Sequence, residues 1–256
     1  MQNLFDVSGK VALVTGGSRG IGEMIAEGYV KNGVRVYISA RKAAACDQTA
    51  ERLSEFGECI SVPADLSTAE GLGTLVETIK SRESKLDILV NNAGATWGAP
   101  FDEFPEAGWD KIMDINVKSP FFLSQALAGL LEAAGSHESP ARIINIGSID
   151  GLHVSDLETY SYAASKSAII HLTRMMAKNL VSRNITVNAV APGPFESKMM
   201  AHTLATMGDQ IKEQVPRGRI GKPGDMAGVA IYLASEAASY LTGVVIPVDG
   251  GLSTTI

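Results

Sequence analysis

Seven short runs rich in β-branched residues punctuate this sequence, with longer stretches of helical spacing between them. The runs are VALVT (11–15), VRVYIS (34–39), CISVPA (59–64), LDILVN (86–91), RIINIG (142–147), ITVNAV (185–190) and VVIPV (244–248). The helical stretches fall at about 20–32, 42–56, 68–83, 107–132, 159–182 and 223–235. Such alternation predicts βαβ units, hence a parallel sheet with helices on both faces. The runs are almost wholly apolar, as strands covered on both faces should be. Together they predict an α/β chain with one doubly wound, seven-stranded parallel sheet. Nothing resembling a linker interrupts residues 1–256, so the whole chain reads as a single domain. Ligands in this architecture bind beyond the carboxyl ends of the strands, where the strand order switches.

One segment breaks the rhythm. Residues 193–217, between the sixth and seventh runs, form a long excursion containing Phe195, Met199, Met200, Leu204 and Met207. Long connections in compact domains are often functional, and this composition predicts a lid over an apolar ligand. The charge balance, 22 basic against 28 acidic residues, argues against nucleic-acid or anionic-membrane partners. Two cysteines outside any CxxC pattern predict free thiols in a reducing compartment. The first residues lack a signal-peptide pattern, and no apolar run approaches the roughly 18 residues that span a bilayer. A cytoplasmic protein is expected. The four histidines show no HxH or HExxH spacing, so no metal is expected.

After the first run comes Thr15-Gly16-Gly17-Ser18-Arg19-Gly20-Ile21-Gly22, opening an apolar helix. Glycines at 16, 20 and 22 permit a tight turn and let the backbone approach a pyrophosphate, which then rests on a helix N-terminus. That is dinucleotide chemistry on a Rossmann-type sheet. The second run ends Ser39-Ala40-Arg41-Lys42, with no carboxylate where an NAD enzyme binds the ribose 2′-hydroxyl. Ser39, Arg41 and Arg19 can instead bind a 2′-phosphate, so NADP(H) is expected over NAD(H). The opposing view treats Arg41 and Lys42 as solvated residues at a helix start.

Tyr162 and Lys166 open a long predicted helix, four residues apart and on one face. A free phenol, with pKa near 10, is a poor donor or base at neutral pH, and a neighbouring ammonium should bring it down. Tyr160 lacks that pairing. Ser148, at the carboxyl end of the fifth run, is placed to hold a substrate oxygen beside Tyr162. Asn116 lies inside a predicted helix, where Asn has poor propensity. His153, in the loop between Ser148 and Tyr162, and Trp97 are candidate substrate contacts, as is Met199 in the lid. His171 reads as a packed residue.

The TGxxxGxG turn, Asn116, Ser148 and YxxxK together resemble the short-chain dehydrogenase/reductase family over essentially the whole chain. The resemblance implies a catalytic set of Asn116, Ser148, Tyr162 and Lys166, with Lys166 also holding the nicotinamide ribose. Asn116 would keep a local helix distortion and a water linked to Lys166. It further implies cofactor contacts at Asp65 and Leu66 near the adenine and at Asn92, Ala93 and Gly94 near its ribose. Pro192, Gly193, Phe195 and Ser197 would lie near the carboxamide, Ser197 standing where relatives have Thr.

Within the family the stretches GKVALVTGGSRGIG, LDILVNNAGATWGAPFDEFP, WDKIMDINVKSPFF and APGPFESKM are most similar to 3-oxoacyl-[acyl-carrier-protein] reductases of the rhamnolipid-associated kind. The implied reaction is NADPH-dependent reduction of a 3-oxoacyl thioester on acyl carrier protein or coenzyme A. Arg183 matches one basic docking position of that group. The other falls in LLEAAGSHESPAR, which has no cation before Arg142. Alternatives are a dehydrogenase of a sugar acid, cyclic ketone or steroid, and a non-enzymatic NADP-binding regulator, which would need neither Tyr162 nor Lys166. Relatives are mostly dimers or tetramers, so a homo-oligomer is expected.

Overall fold

The structure is a computed structural model that describes residues 3–197 and 200–255, the side chains of 201–205 excepted. Its sheet contains β1 (Val11–Thr15), β2 (Arg35–Ser39), β3 (Cys59–Ser61), β4 (Ile88–Asn91), β5 (Ala141–Ile146), β6 (Ile185–Pro192) and β7 (Val245–Val248). All neighbours pair in parallel, in the order β3-β2-β1-β4-β5-β6-β7. The winding reverses between β1 and β4, which puts a crevice above their carboxyl ends.

Residues alternate along each strand but both faces are apolar, because both are covered. Ala12 and Val14 of β1 point into one core with Ile25, Tyr29 and Val30 of α1 (Gly20–Lys31), Leu53 of α2 (Ala43–Leu53) and Leu233 of α8 (Pro223–Ala234). Val11 and Leu13 point into the other, with Leu75 and Ile79 of α3 (Ala69–Arg82), Leu123 and Leu127 of α5 (Ser119–Ala134) and Met176 of α6 (Tyr160–Leu180). The continuous apolar runs follow directly from that double cover.

The structure departs from the expected elements in two places. The helix expected over 107–132 is three pieces, α4 (Glu106–Met113), a π-turn at Asp114–Lys118, and α5. The 193–217 excursion contains a helix, α7 (Ala201–Gln214). Apolar residues at 204, 207 and 211 carry a helical spacing that two nearby prolines obscured. Phe195, placed with the lid by its sequence position, is 2% exposed, and its ring lies over Gly221 in the first core. Among the described residues no helix is long and apolar enough to cross a membrane, and no cluster could hold a metal ion.

Candidate active site

The crevice begins with a tie between the two strand ends that flank it. The Thr15 hydroxyl donates to the Val90 carbonyl (3.2 Å) and accepts from the amides of Asn92 (2.9 Å) and Ala93 (3.0 Å). The Asn92 side chain returns the tie, donating to the carbonyls of Thr15 (2.8 Å) and Gly16 (3.2 Å). Gly16 and Gly20 both adopt positive φ in the intervening turn. At Gly22 a Cβ would lie 2.3 Å from the Gly16 carbonyl oxygen, so only glycine lets α1 start this close to β1.

The start of α1 suits an anion. Its N-cap, Arg19, supplies no capping side chain, so the first-turn amides keep their donors open. Arg19, Arg41 and Lys42 are exposed and form no ion pair among the described residues. The Ser39 hydroxyl at the end of β2 is buried without a partner among the described residues. These features fit a dinucleotide bearing an extra phosphate. Asp65 accepts from the amide (3.1 Å) and hydroxyl (2.7 Å) of Ser67, which with Arg41 hold its carboxyl below the usual range. It is a turn residue, and Thr68 caps α3 by accepting from Gly71. Leu66 is buried in the second core.

At the far wall, Pro192 ends β6 and the Gly193 amide donates to Val248 (3.0 Å), while Ser197 faces Gly20 across the turn. The Phe195 side chain is buried in the first core. Trp97 lies on Gly108 of α4, with the Lys111 ammonium 5.3 Å from its ring centre. Met199 lies outside the described residues. Tyr160 is exposed and donates to Glu158 (3.1 Å), apart from the pairing that Tyr162 makes.

The catalytic candidates converge at the carboxyl end of β5. Asn116 sits inside the π-turn, its Oδ1 accepting from Ala95 N (2.9 Å) and its Nδ2 donating to Ala95 O (3.0 Å) and Ser165 Oγ (2.9 Å). The bulge turns this one amide toward both the β4 exit and α6, which an ordinary helical turn would not do. Ser148 follows β5 and accepts from Asp150 N (3.2 Å). Lys166 is 6% exposed, and its ammonium donates to Ile146 O (2.8 Å), 5.5 Å from the Tyr162 ring centre.

The electrostatics differ from the expectation that Lys166 would lower Tyr162. Burial pushes the Tyr162 phenol up to about 12, opposed by the Ser148 hydroxyl beside it. Burial also lowers Lys166 to about 8, opposed by Asp150. Desolvation sets both directions, because both groups lose water on burial. The phenol therefore keeps its proton at working pH.

Sequence reasoning missed three contributors: Thr15, Ser165 and Asp150. Only Asp150 carried a signal, being a carboxylate two residues past Ser148. It also missed a buried chain beneath the site. Asn91 Nδ2 donates to Ser124 Oγ (3.1 Å) and Asn145 Oδ1 (2.9 Å), and Asn145 Nδ2 donates to Thr173 Oγ1 (2.8 Å).

A family model described as enoyl-(acyl carrier protein) reductase matches residues 16–253. The chain is 48% identical to a rhamnolipids biosynthesis 3-oxoacyl-[acyl-carrier-protein] reductase of Pseudomonas aeruginosa, over 98% of this chain and 99% of that one. It is 38% identical to a 2-dehydro-3-deoxy-D-gluconate 5-dehydrogenase of Dickeya dadantii, over 97% of each. Among solved structures it resembles a Pseudomonas aeruginosa RhlG/NADP active-site complex with a TM-score of 0.95 and 47% identity, covering 99% of this chain and 100% of that one.

The depressed Lys166 pKa has a consequence for stability. In the unfolded chain the ammonium titrates near its ordinary 10.5, in the fold at about 8. Below 8 both states hold the proton and the full burial cost applies. Between 8 and 10.5 the unfolded state binds more protons, so this cost fades as pH rises. Lys166→Met is expected to raise stability by roughly 2 kcal/mol at pH 7, less near pH 10, read from denaturant midpoints at both.

Proposed function

Because the chain belongs to the short-chain dehydrogenase/reductase family, we propose that it is an NADPH-dependent reductase of a 3-oxoacyl thioester, yielding the 3-hydroxyacyl product, with Tyr162 as proton donor. The observation that carries this reading is the convergence of Tyr162, Ser148 and the buried Lys166, whose ammonium donates to Ile146 O and lies 5.5 Å from the Tyr162 ring centre, beside a glycine turn open to a dinucleotide. NADPH, when bound, supplies the hydride. The α1 first-turn amides and the glycine turn would hold its pyrophosphate, and Arg19 and Arg41 its 2′-phosphate. Asn92, Ala93 and Gly94 would meet its adenine-side ribose and Lys166 its nicotinamide ribose. Ser148 donates a hydrogen bond to the substrate carbonyl oxygen and fixes it beside Tyr162. Tyr162 gives that oxygen its proton as the carbonyl carbon is reduced, and the phenolate is then reprotonated from solvent.

An acyl chain suits the surroundings. Leu152, Val154 and Leu157 are exposed on the loop between Ser148 and Tyr162, Val154 at 96%. Residues 193–217, including α7, form the lid in this reading. The carrier is set by charge. Arg183 is tied to Glu132 (2.8 Å) and Arg142 is 1% exposed, so neither offers a free cation to an acidic carrier protein. This favours coenzyme A. A second reading, turnover of a sugar acid, draws on the polar Asp150 and His153 near Ser148 and on the 38% identical gluconate relative. Exposed Phe121, Phe122 and Met175 on α5 and α6 support a homo-oligomer, dimer or tetramer, joined through these helices. Buried free thiols at Cys46 and Cys59 fit a cytoplasmic enzyme.

The test is NADPH oxidation with acetoacetyl-coenzyme A, a longer 3-oxoacyl carrier protein, and a panel of free ketones and sugar acids. Turnover of the thioesters is expected to exceed the rest, and sugar-acid turnover alone would replace this reading with the second. Tyr162→Phe is expected to lower kcat by at least about 100-fold while NADPH binding, followed by fluorescence, stays nearly unchanged. Arg41→Ala is expected to weaken NADPH about 10-fold or more and NADH hardly at all. Equal weakening of both would remove the 2′-phosphate assignment.

A further inference from the structure

Among the described side chains of α7, residues 206–214, none is buried. The first buried one is Val215 at its C-cap, 2% exposed. A helix without a buried face takes its position from the chain at either end of it. Both ends of the 193–217 excursion meet one turn, the residues just after β7. At the first root, Pro192 pairs with Val248 and the Gly193 amide donates to Val248 O (3.0 Å). A Cβ on Gly193 would stand 2.7 Å from Asp249 Cβ. At the second root, Arg217 N donates to Gly250 O (3.2 Å), and a Cβ on Gly250 would stand 2.6 Å from Val215 Cγ1. A Cβ on Gly251 would stand 3.4 Å from Pro216 Cβ. The roots are also joined to each other, since Gly221 N donates to Pro194 O (2.9 Å) and the buried Phe195 ring covers Gly221.

The turn owes its shape to a carboxylate that proton transfer does not use. Asp249, 8% exposed, accepts from Gly251 N (2.9 Å), Ser253 N (2.7 Å) and Ser253 Oγ (2.5 Å). Between these anchors Gly250 and Gly251 take φ of 69° and 96°, where an L side chain is strained. We infer that residues 249–253 are the brace that sets the position of α7, with Asp249 a positioning residue acting through Gly250 and Gly251. Three donors on one carboxylate fix the two glycines, and the glycines present the backbone surface on which Val215 and Pro216 sit. Any shift of that surface moves the only buried anchor among the described side chains of 206–215. The first root shares the brace and leads past the cofactor turn, where a Cβ on Gly20 would stand 3.2 Å from Ser197 Cβ. The spacing between α7 and the glycine turn is therefore set by the same five residues. The effect on substrate rests on the reading of residues 193–217 as a lid.

Hydrogen–deuterium exchange of the full-length protein, read by mass spectrometry of peptides covering 206–217, tests the brace without any turnover. Gly250→Ala puts a methyl against Val215 and leaves the sheet ladder intact. It is expected to speed exchange at 206–217 by about 10-fold or more, with peptides from α1 and α6 unchanged. Asp249→Asn is the milder second variant, since it keeps the side chain's shape but replaces an accepting oxygen with a donor. It is expected to give the same local gain to a smaller extent. With a long-chain 3-oxoacyl-coenzyme A, KM should rise about 10-fold in Gly250→Ala while kcat and the KM for NADPH hold. A merely structural turn would speed exchange in every element and lower kcat without moving KM. Exchange at 206–217 that is unchanged in both variants, or raised equally along the whole chain, overturns the brace. A local gain in exchange with an unmoved KM overturns the lid reading instead. Wild-type protein inactive on 3-oxoacyl thioesters overturns the substrate reading, and the exchange result stands without it.

Discussion

The ammonium of Lys166 is the constraint around which the catalytic end is built. It is buried at 6% exposure, it has one hydrogen-bond acceptor, the Ile146 carbonyl, and every nearby element answers to that. Gly147 N still donates to Val190 O of β6, so Ile146 O points the other way, toward β4, and is available because β4 ends at Asn91. Ser148 can then turn its hydroxyl toward Tyr162, and residues 149–151 can fold back on α6. Had β4 continued, Ile146 O would have a ladder partner and the ammonium none. A buried, unpaired charge costs several kcal/mol and would be driven out or neutralised.

Precision at such a site requires that β4, β5 and α6 move as one body. The hydrogen-bonded chain from Ser124 through Asn91 and Asn145 to Thr173 supplies this, since it crosses the sheet from α5 to α6 below the reacting groups. Asn116 makes the equivalent link above, from Ala95 to Ser165, next to Lys166. The Thr15 and Asn92 ties fasten the glycine turn to the same β4 exit. Cofactor and proton donor therefore share a frame, and their relative placement is set by buried polar contacts with fixed geometry rather than by apolar packing, which tolerates sliding.

The sheet was legible because burial on both faces leaves an unmistakable mark: a run such as VALVT has no polar side to hide. The glycine turn and the Tyr162/Lys166 spacing were legible for a similar reason, since local geometry dictates them. What escaped was longer in range. No local pattern says that Thr15 will meet the amides of Asn92 and Ala93, 77 and 78 residues away. The π-turn was hidden inside a stretch with ordinary helical spacing, and Asn116 marked it only by poor propensity. The Tyr162 pKa failed for a different reason. Spacing places Lys166 beside it correctly, but the sign of the shift depends on how much water both groups lose, and sequence does not state burial depth.

The border of the site bears on the substrate. The exposed Leu152, Val154 and Leu157 offer an apolar border that an extended acyl chain can cover, whereas a polyhydroxylated acid would leave it wet.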